Sequence, residues 1–358
     1  MNRLLQVRQL GQQIWLDNLS RTLLREGQLE RFIRDDGVCG ITTNPAIFHK
    51  AIADGRYYAD DLAALKRTVA DAEARYEALV IADVQAACDL LRETWTLSGG
   101  EMGYVSLEVS PALAHDRAGT LAAGQRLHAA VGRDNLLIKV PATAAGVGAV
   151  EDLVAHGISV NVTLMFSLAH VDAVASAYLR GMERLQAAGG DLARVMSVAS
   201  LFLSRVDTLV DRRLDDIGGA ALALRGRTAV AMAKTAYAHY RARFHGPAFA
   251  ALRAAGARPQ YMLWASTGTK NPAYSDLLYV EALIGAETVN TLPDATLAAL
   301  IDHGTVADTL ATETDAAAAT LAQVEGLGID LGAAGEQLQA EGLRQFDEAF
   351  ARLLELVN

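Results

Sequence analysis

The chain has 358 residues, of which 51% are hydrophobic and 21% are charged, so it can bury a large core in one or two domains. Its formal net charge of −10 argues against a general nucleic-acid or membrane-surface binder but leaves room for a local cationic pocket. Two cysteines give no disulfide framework, no histidines have metal-site spacing and no apolar run could span a membrane, so we expect a soluble cytoplasmic protein without a metal.

The apolar stretch at the N-terminus is too short for a secretion signal. After it, short apolar segments alternate with longer segments of helical periodicity. Eight apolar segments are predicted strands: Ile14–Asp17, Val38–Thr42, Tyr104–Val109, Leu136–Val140, Ser159–Thr163, Met196–Ser200, Tyr261–Ala265 and Thr288–Leu292. Alanine- and leucine-rich segments such as Tyr76–Thr94 and Ser167–Ala187 are predicted helices, and the long connections 43–103 and 201–260 must hold further helices.

Eight strands that are mostly separated by helices favour an α/β fold of the (β/α)8 TIM barrel type over an open sheet. The continuous apolar character of the strands agrees with a barrel, because barrel strands are covered on both faces. From about Thr314 the tail is predicted to be helical, with Leu343, Phe346, Phe350 and Leu354 at apolar spacing. No linker or break in composition separates this tail, so we expect one domain over residues 1–358.

Lys139 is the one charged residue in the apolar segment Asn135–Pro141. An isolated ammonium in an apolar strand is costly unless it is paired or deprotonated. Burial also lowers the pKa of a lysine, and a neutral amine can attack a carbonyl to form a Schiff base. The alternative is a structural lysine whose head passes the end of the strand or pairs with a carboxylate.

Polar residues stand at or just after the ends of seven of the eight predicted strands. They are Asp17, Thr42, Asn44, Glu108, Lys139, Asn161, Thr163, Ser200 and Ser266. In a barrel the C-terminal ends of the strands converge on the active site, so these groups would face one mouth. Each alone could be a helix cap or a turn residue, but a common site explains their joint occurrence better.

Five segments, in this order, resemble those of a known family. They are Thr42–Ala46, the strand around Lys139, Asn161–Ser167, Ser200–Arg205 and Trp264–Asn271. Over about residues 14–293 the chain resembles the transaldolases, and the last segment is similar to their longer bacterial form. The resemblance implies a transferase of the non-oxidative pentose phosphate pathway that needs no cofactor. Its expected reaction converts sedoheptulose 7-phosphate and glyceraldehyde 3-phosphate to erythrose 4-phosphate and fructose 6-phosphate.

The resemblance implies four catalytic residues. Lys139 would form the Schiff base with the C2 carbonyl of the donor, and the iminium would act as the electron sink for C3–C4 cleavage. Glu108 and Thr163 would hold the water that shuttles protons, although Glu108 could be only the counter-ion of Lys139. Asp17 would take the proton of the C4 hydroxyl; the alternative is that it caps the helix that begins near Ser20.

The resemblance also implies residues that bind the dihydroxyacetone unit. Asn44 and Asn161 would hold its hydroxyl groups and the lysine, because an unprotected enamine would be lost to protonation by water. Thr42 would contact the unit or only orient its neighbours. Phe202 would line the pocket, although an aromatic residue here could equally belong to the core.

A second group implied by the resemblance would bind the terminal phosphate. Arg205 would do so with Ser200 and Ser266, because a planar guanidinium suits bidentate phosphate binding. The alternative is an ion pair between Arg205 and Asp207 on a solvated face. Shorter transaldolases have an arginine two residues past the serine that matches Ser266. This chain does not, so we expect Lys270 to supply the second positive charge.

Two other functions stay open. A fructose 6-phosphate aldolase resembles transaldolase but releases free dihydroxyacetone; such proteins are much shorter, and Glu108 looks like the transferase. A catalytically silent barrel could serve as a scaffold or a sugar-phosphate sensor, but the complete set of catalytic residues speaks against decay. The expected partners are small-molecule sugar phosphates, neither nucleic acid nor membrane, and a monomer and a homo-oligomer are both compatible with the sequence.

Overall fold

The computed structural model describes residues 2–358, so Met1 lies outside the described residues. Eight parallel strands pair in chain order and close into a barrel, because the first strand also pairs with the last. The strands are β1 (Gln12–Leu16), β2 (Gly40–Ile41), β3 (Tyr104–Glu108), β4 (Leu136–Pro141), β5 (Val160–Met165), β6 (Ser197–Phe202), β7 (Tyr261–Ala265) and β8 (Thr288–Leu292). The predicted (β/α)8 fold is confirmed.

Residues 2–358 contain sixteen α-helices. They are α1 (Arg3–Gln9), α2 (Arg21–Arg25), α3 (Gln28–Arg31), α4 (Pro45–Asp54), α5 (Ala59–Thr68), α6 (Ala72–Leu97), α7 (Arg117–Val131), α8 (Ala144–Ala155), α9 (Leu168–Ala187), α10 (Ser204–Ile217), α11 (Thr228–Phe244), α12 (Pro247–Ala254), α13 (Leu278–Glu281), α14 (Asp294–His303), α15 (Thr314–Gly326) and α16 (Leu331–Val357). The two long connections hold α4–α6 and α10–α12, as predicted. No helix in this part of the chain is both long and apolar enough to cross a membrane.

The strands are buried along almost their whole length, as their continuous apolar character predicted. β2 is shorter than predicted, with two residues in the ladder. Its Gly40 lies against the indole of Trp15, where an added Cβ would come within 2.5 Å of the ring. A glycine is therefore required at this close approach of β1 and β2.

Polar side chains cap the N-termini of helices that follow the strands. Asn44 accepts a hydrogen bond from the backbone N–H of Ile47 at 3.0 Å and begins α4, which has proline at its first position. Ser167 accepts from the N–H of His170 at 3.2 Å and begins α9. These caps hold the chain in place at the C-terminal ends of the strands.

The C-terminal helix α16 crosses this end of the barrel. Near its start, Gln339 Nε2 donates to the carbonyl oxygens of Ala142 and Leu164 at 2.9 and 3.1 Å. At its other end, Arg75 of α6 donates to the carbonyl oxygen of Val357 at 2.8 Å. The helix of 27 residues is about 40 Å long, enough to span the barrel mouth. The helical character predicted for the tail is confirmed.

Candidate active site

A pocket of about 430 Å³ opens at the C-terminal ends of the strands, beneath α16. It is lined by all twelve predicted site residues: Asp17, Thr42, Asn44, Glu108, Lys139, Asn161, Thr163, Ser200, Phe202, Arg205, Ser266 and Lys270. They come from seven strands or from the segments that follow them, so barrel closure alone brings them together. Their location in one pocket is a structural fact, whereas their individual roles stay predictions.

Lys139 and Glu108 form a buried ion pair on adjacent strands. The ladder sets Lys139 opposite Glu108 on β3 and opposite Asn161 on β5. Lys139 Nζ lies 2.6 Å from Glu108 Oε1 and donates to the carbonyl oxygen of Thr43 at 3.0 Å. Burial raises the pKa of Glu108, and the ammonium of Lys139 opposes this shift without cancelling it. A carboxylate with a raised pKa beside an amine can exchange a proton with it.

A hydrogen-bonded chain crosses the barrel interior below this pair. Ser200 Oγ donates to Asn161 Oδ1 at 2.7 Å, and Asn161 Nδ2 donates to Ser106 Oγ at 3.0 Å. All three residues are buried. Ser200 is therefore tied to Asn161 in this structure, and its predicted contact with a phosphate stays a prediction. Thr163, also buried, lines the pocket beside them.

A hydrogen bond joins Asp17, which follows β1, to Thr42, which follows β2. Thr42 Oγ1 donates to Asp17 Oδ1 at 2.8 Å, which fixes the direction of the carboxylate. Ser20, rather than Asp17, caps α2 by accepting from the N–H of Leu23 at 3.2 Å. The capping alternative for Asp17 is therefore not seen, and its carboxylate lines the pocket.

Arg205 and Phe202 form one end of the pocket with Ser266 and Lys270. The Arg205 guanidinium lies 5.8 Å from the ring centroid of Phe202 and has no hydrogen bond or ion pair with any residue in 2–358. Burial lowers the pKa of Arg205, because the charged form loses solvation. The carboxylate of Glu341 attracts the guanidinium but forms no ion pair with it, so this half-buried cation is suited to receive an anion.

The alternative partner of Arg205 is already engaged elsewhere. Asp207 is buried and accepts hydrogen bonds from the backbone N–H of Ala229 and the hydroxyl of Tyr279, both at 2.8 Å.

Ser266 has a positive φ of 54°, and its hydroxyl lies 2.8 Å from that of Ser204. Lys270 lines the rim and is exposed.

Sequence reasoning missed the part of the pocket that comes from α16. This helix adds Gly342, Gln345, Phe346, Ala349 and Arg352 to the lining. The apolar spacing of Phe346 indicated only a helix face, because periodicity does not show which neighbour that face meets. A half-buried aromatic residue and an arginine on one helix face are a weak signal for a pocket wall. The carbonyl of Thr43 was also missed as a partner of Lys139.

Comparison with known proteins places this chain in one family. The family model described as transaldolase/fructose-6-phosphate aldolase matches residues 14–357. The chain is 56% identical to the transaldolase of Thiobacillus denitrificans and 52% identical to that of Neisseria gonorrhoeae, in both cases over 99% of each chain. It is 48% identical to transaldolase 1 of Streptomyces coelicolor over 97% of this chain and 92% of that protein. The chain therefore belongs to the transaldolase/fructose-6-phosphate aldolase family, as its motifs indicated.

Proposed function

We propose that this protein is a transaldolase that acts through a Schiff base on Lys139. It transfers a dihydroxyacetone unit from sedoheptulose 7-phosphate to glyceraldehyde 3-phosphate, giving erythrose 4-phosphate and fructose 6-phosphate. The observation that carries this proposal is the buried pair of Lys139 and Glu108, 2.6 Å apart at the base of a pocket with a cationic end. The names of the relatives support the same activity.

Schiff-base formation needs a neutral amine and a proton carrier beside it. Glu108 takes a proton from the Lys139 ammonium, and the free amine attacks the C2 carbonyl of the donor. Glu108 then returns this proton to the hydroxyl of the carbinolamine, which leaves as water while the iminium forms. Thr163, which lines the pocket with them, assists these transfers by holding the water.

Asp17 is the base for carbon–carbon cleavage. It takes the C4 hydroxyl proton, the C3–C4 bond breaks toward the iminium, and an aldose phosphate leaves behind an enamine. Thr42 orients Asp17 through the 2.8 Å hydrogen bond to its carboxylate. Addition of the acceptor aldose reverses these steps: the enamine attacks its aldehyde carbon and Asp17 returns the proton. Hydrolysis of the new iminium then frees Lys139.

The remaining polar residues bind and orient the sugar phosphate. Arg205, Ser266 and Lys270 hold the terminal phosphate, and Ser200 contributes from the barrel interior. Asn44 and Asn161 hold the hydroxyls of the dihydroxyacetone unit, and Phe202 forms the wall beside Arg205. We expect a cytoplasmic, single-domain protein without nucleic-acid or membrane partners. A monomer and a homo-oligomer are both compatible with this function.

Borohydride trapping tests the proposal. Reduction in the presence of fructose 6-phosphate should add the mass of the reduced adduct to the peptide that contains Lys139. Lys234 is the matched internal control, because it is also buried but donates to the carbonyl oxygens of Thr309 and Thr312. An unmodified Lys139 in an active preparation would overturn the mechanism.

A coupled assay separates transfer from release. The transaldolase consumes fructose 6-phosphate only when an acceptor such as erythrose 4-phosphate is present. The family description also names fructose-6-phosphate aldolase, which would release dihydroxyacetone without an acceptor. Such release at the rate of overall turnover would favour the aldolase, and no turnover in either assay would favour a silent barrel.

A further inference from the structure

Glu108 lines a second cavity besides the substrate pocket. This crevice lies behind β3, between α6, α7 and α16. The centre of a water molecule can occupy a volume of about 10 Å³ in it. That volume is room for about one water molecule. Its outer rim is formed by the half-buried side chains of Glu73 and Glu77. Glu108 therefore borders both the substrate pocket and this crevice.

Two hydroxyl groups at this crevice have no partner in residues 2–358. Tyr76 is 8% exposed, and its hydroxyl makes no hydrogen bond there. Ser110 Oγ is shielded from solvent and is likewise unpaired. Leaving the shielded hydroxyl of Ser110 unpaired is unfavourable by about 1–3 kcal/mol. Tyr76 lines the same small crevice, so one water molecule there could bond both hydroxyls and satisfy Ser110.

The ring of Tyr76 is held rigidly. It packs edge-on against Phe48 of α4 and Phe350 of α16, with centroids 6.2 and 5.5 Å away. The pKa of Tyr76 is raised by burial and, after that, by the negative charge of Glu108, which lines the same crevice. Because these contacts fix the ring, little entropy is lost when the hydroxyl of Tyr76 binds a water molecule in the crevice.

Five other ionisable groups lie around Glu108. Those on the pocket side are Lys139 of β4 and Asp17 after β1, and those on the crevice side are Tyr76, Glu73 and Glu77 of α6. Glu77 is already paired with Arg126 at 2.6 Å. Leu127 of α7 and Phe350 of α16 bring no charge to the crevice.

We propose that the crevice binds one water molecule, held by the hydroxyls of Tyr76 and Ser110, which donates a hydrogen bond to the Glu108 carboxylate. This water stabilises the ionised form of Glu108, the form that accepts the proton of Lys139. Tyr76 and Ser110 are positioning residues, since they act through the water and do not touch the substrate. The proposal rests on the proposed transaldolase activity.

The acid limb of the pH profile of kcat/KM is the decisive readout. Tyr76→Phe removes one hydroxyl and keeps the ring. Because a hydrogen bond to a carboxylate favours its ionised form, losing the bound water raises the pKa of Glu108 and moves the acid limb up by about one pH unit. Ser110→Ala should move it in the same direction by a smaller amount.

Tyr178→Phe is the matched control. Tyr178 is also a buried tyrosine on a helix packed against the barrel, but its hydroxyl donates to the carbonyl oxygen of Arg258, away from the pocket. Its loss should lower the melting temperature and leave the acid limb unchanged. A merely structural role of Tyr76 would give this same pattern.

An unshifted acid limb in both Tyr76→Phe and Ser110→Ala would overturn the proposal, and if Tyr76→Phe fails to fold, Ser110→Ala decides. A crystal structure of the wild type should show a water molecule within hydrogen-bond distance of both hydroxyls, and a dry crevice at high resolution would count against it. Absence of transaldolase activity in the wild type would instead overturn the proposed function, so the two failures are distinguishable.

Discussion

At the scale of single residues, the chemistry of the pocket depends on charges that the barrel buries. Lys139 and Glu108 are each about one-tenth exposed as side chains, so each needs the other to offset its lost solvation. Desolvation also makes the pair useful, because it raises the pKa of the Glu108 carboxyl beside the amine. The same desolvation makes the pair costly to break.

Lys139→Met should abolish adduct formation and also destabilise the fold. It leaves the Glu108 carboxylate buried without a counter-ion, which we expect to lower the free energy of unfolding by about 3 kcal/mol at pH 8. The loss should be smaller at pH 5, because Glu108 can then take up a proton. Urea unfolding at both pH values measures this, and Lys139→Met combined with Glu108→Gln should recover part of the loss.

Lys234→Met is the control for removing a buried lysine. Lys234 is 5% exposed, but its ion-pair partner Glu313 is 3.8 Å away and well exposed. This variant should lose stability by a similar amount at pH 5 and at pH 8. Equal pH dependence in the two lysine variants would contradict the idea that Glu108 is left uncompensated.

We expect Asp207 to make the stability of the fold depend on pH as well. Burial raises the pKa of Asp207 to about 7, despite hydrogen bonds from Ala229 and Tyr279 that oppose the shift. Between about pH 4 and pH 7 the folded protein holds a proton that the unfolded chain has lost, so this group makes stability fall as the pH rises.

When the pH is raised from 5 to 8, the free energy of unfolding of Asp207→Asn should therefore increase relative to that of the wild type by on the order of 2 kcal/mol. Urea unfolding of both proteins at these pH values is the measurement. Asp215→Asn, on the same helix but half-exposed and paired with Arg225, should show no such gain. A gain of equal size in both variants would contradict burial as the cause.

At the scale of elements, α16 decides the shape of the pocket. It packs close to the loop after β5, where a Cβ on Gly335 would lie 2.7 Å from the Cβ of Ser167. Ser167 caps α9 and cannot move freely. The helix then continues over the mouth, and Phe346 and Arg352 reach the pocket from its outer side.

Gly335→Ala should push this end of α16 away from the barrel. We expect about 2 kcal/mol loss of stability from overpacking and a raised KM for the sugar phosphate, because the pocket wall moves. Gly326→Ala is the control, since a Cβ there meets nothing within 4 Å at the end of α15, and alanine favours a helix. Thermal unfolding and steady-state kinetics measure both variants. An unchanged KM in Gly335→Ala would argue against α16 as a rigid wall.

At the scale of the whole molecule, closure of the barrel turns scattered residues into one site. Asp17 and Ser266 are far apart in the chain, yet both line the same pocket because β8 pairs with β1 on one side and with β7 on the other. The chain as a whole has a formal net charge of −10, whereas Arg205, Lys270 and Arg352 all line this pocket. The total charge therefore says little about which substrate the pocket attracts.

Much of this arrangement could be predicted from the sequence. The eight strands were placed to within a few residues, because strands covered on both faces have a continuous apolar pattern. The predicted length was least accurate at β2, where the contact of Gly40 with Trp15 is a tertiary feature. The twelve pocket residues that come from the strands and the segments after them were also predicted, because barrel topology sends the C-terminal end of every strand to one mouth.

The barrel, its family and the set of polar residues at its mouth follow from the sequence, since periodicity and ordered motifs are local properties of the chain. The packed fold adds the contacts of Lys139 with Glu108 and Thr43, the hydrogen bond of Ser200 to Asn161, and the position of α16 over the pocket. These contacts depend on register, on side-chain direction and on the path of a distant helix. Local patterns do not encode them, because they arise only when distant segments pack together.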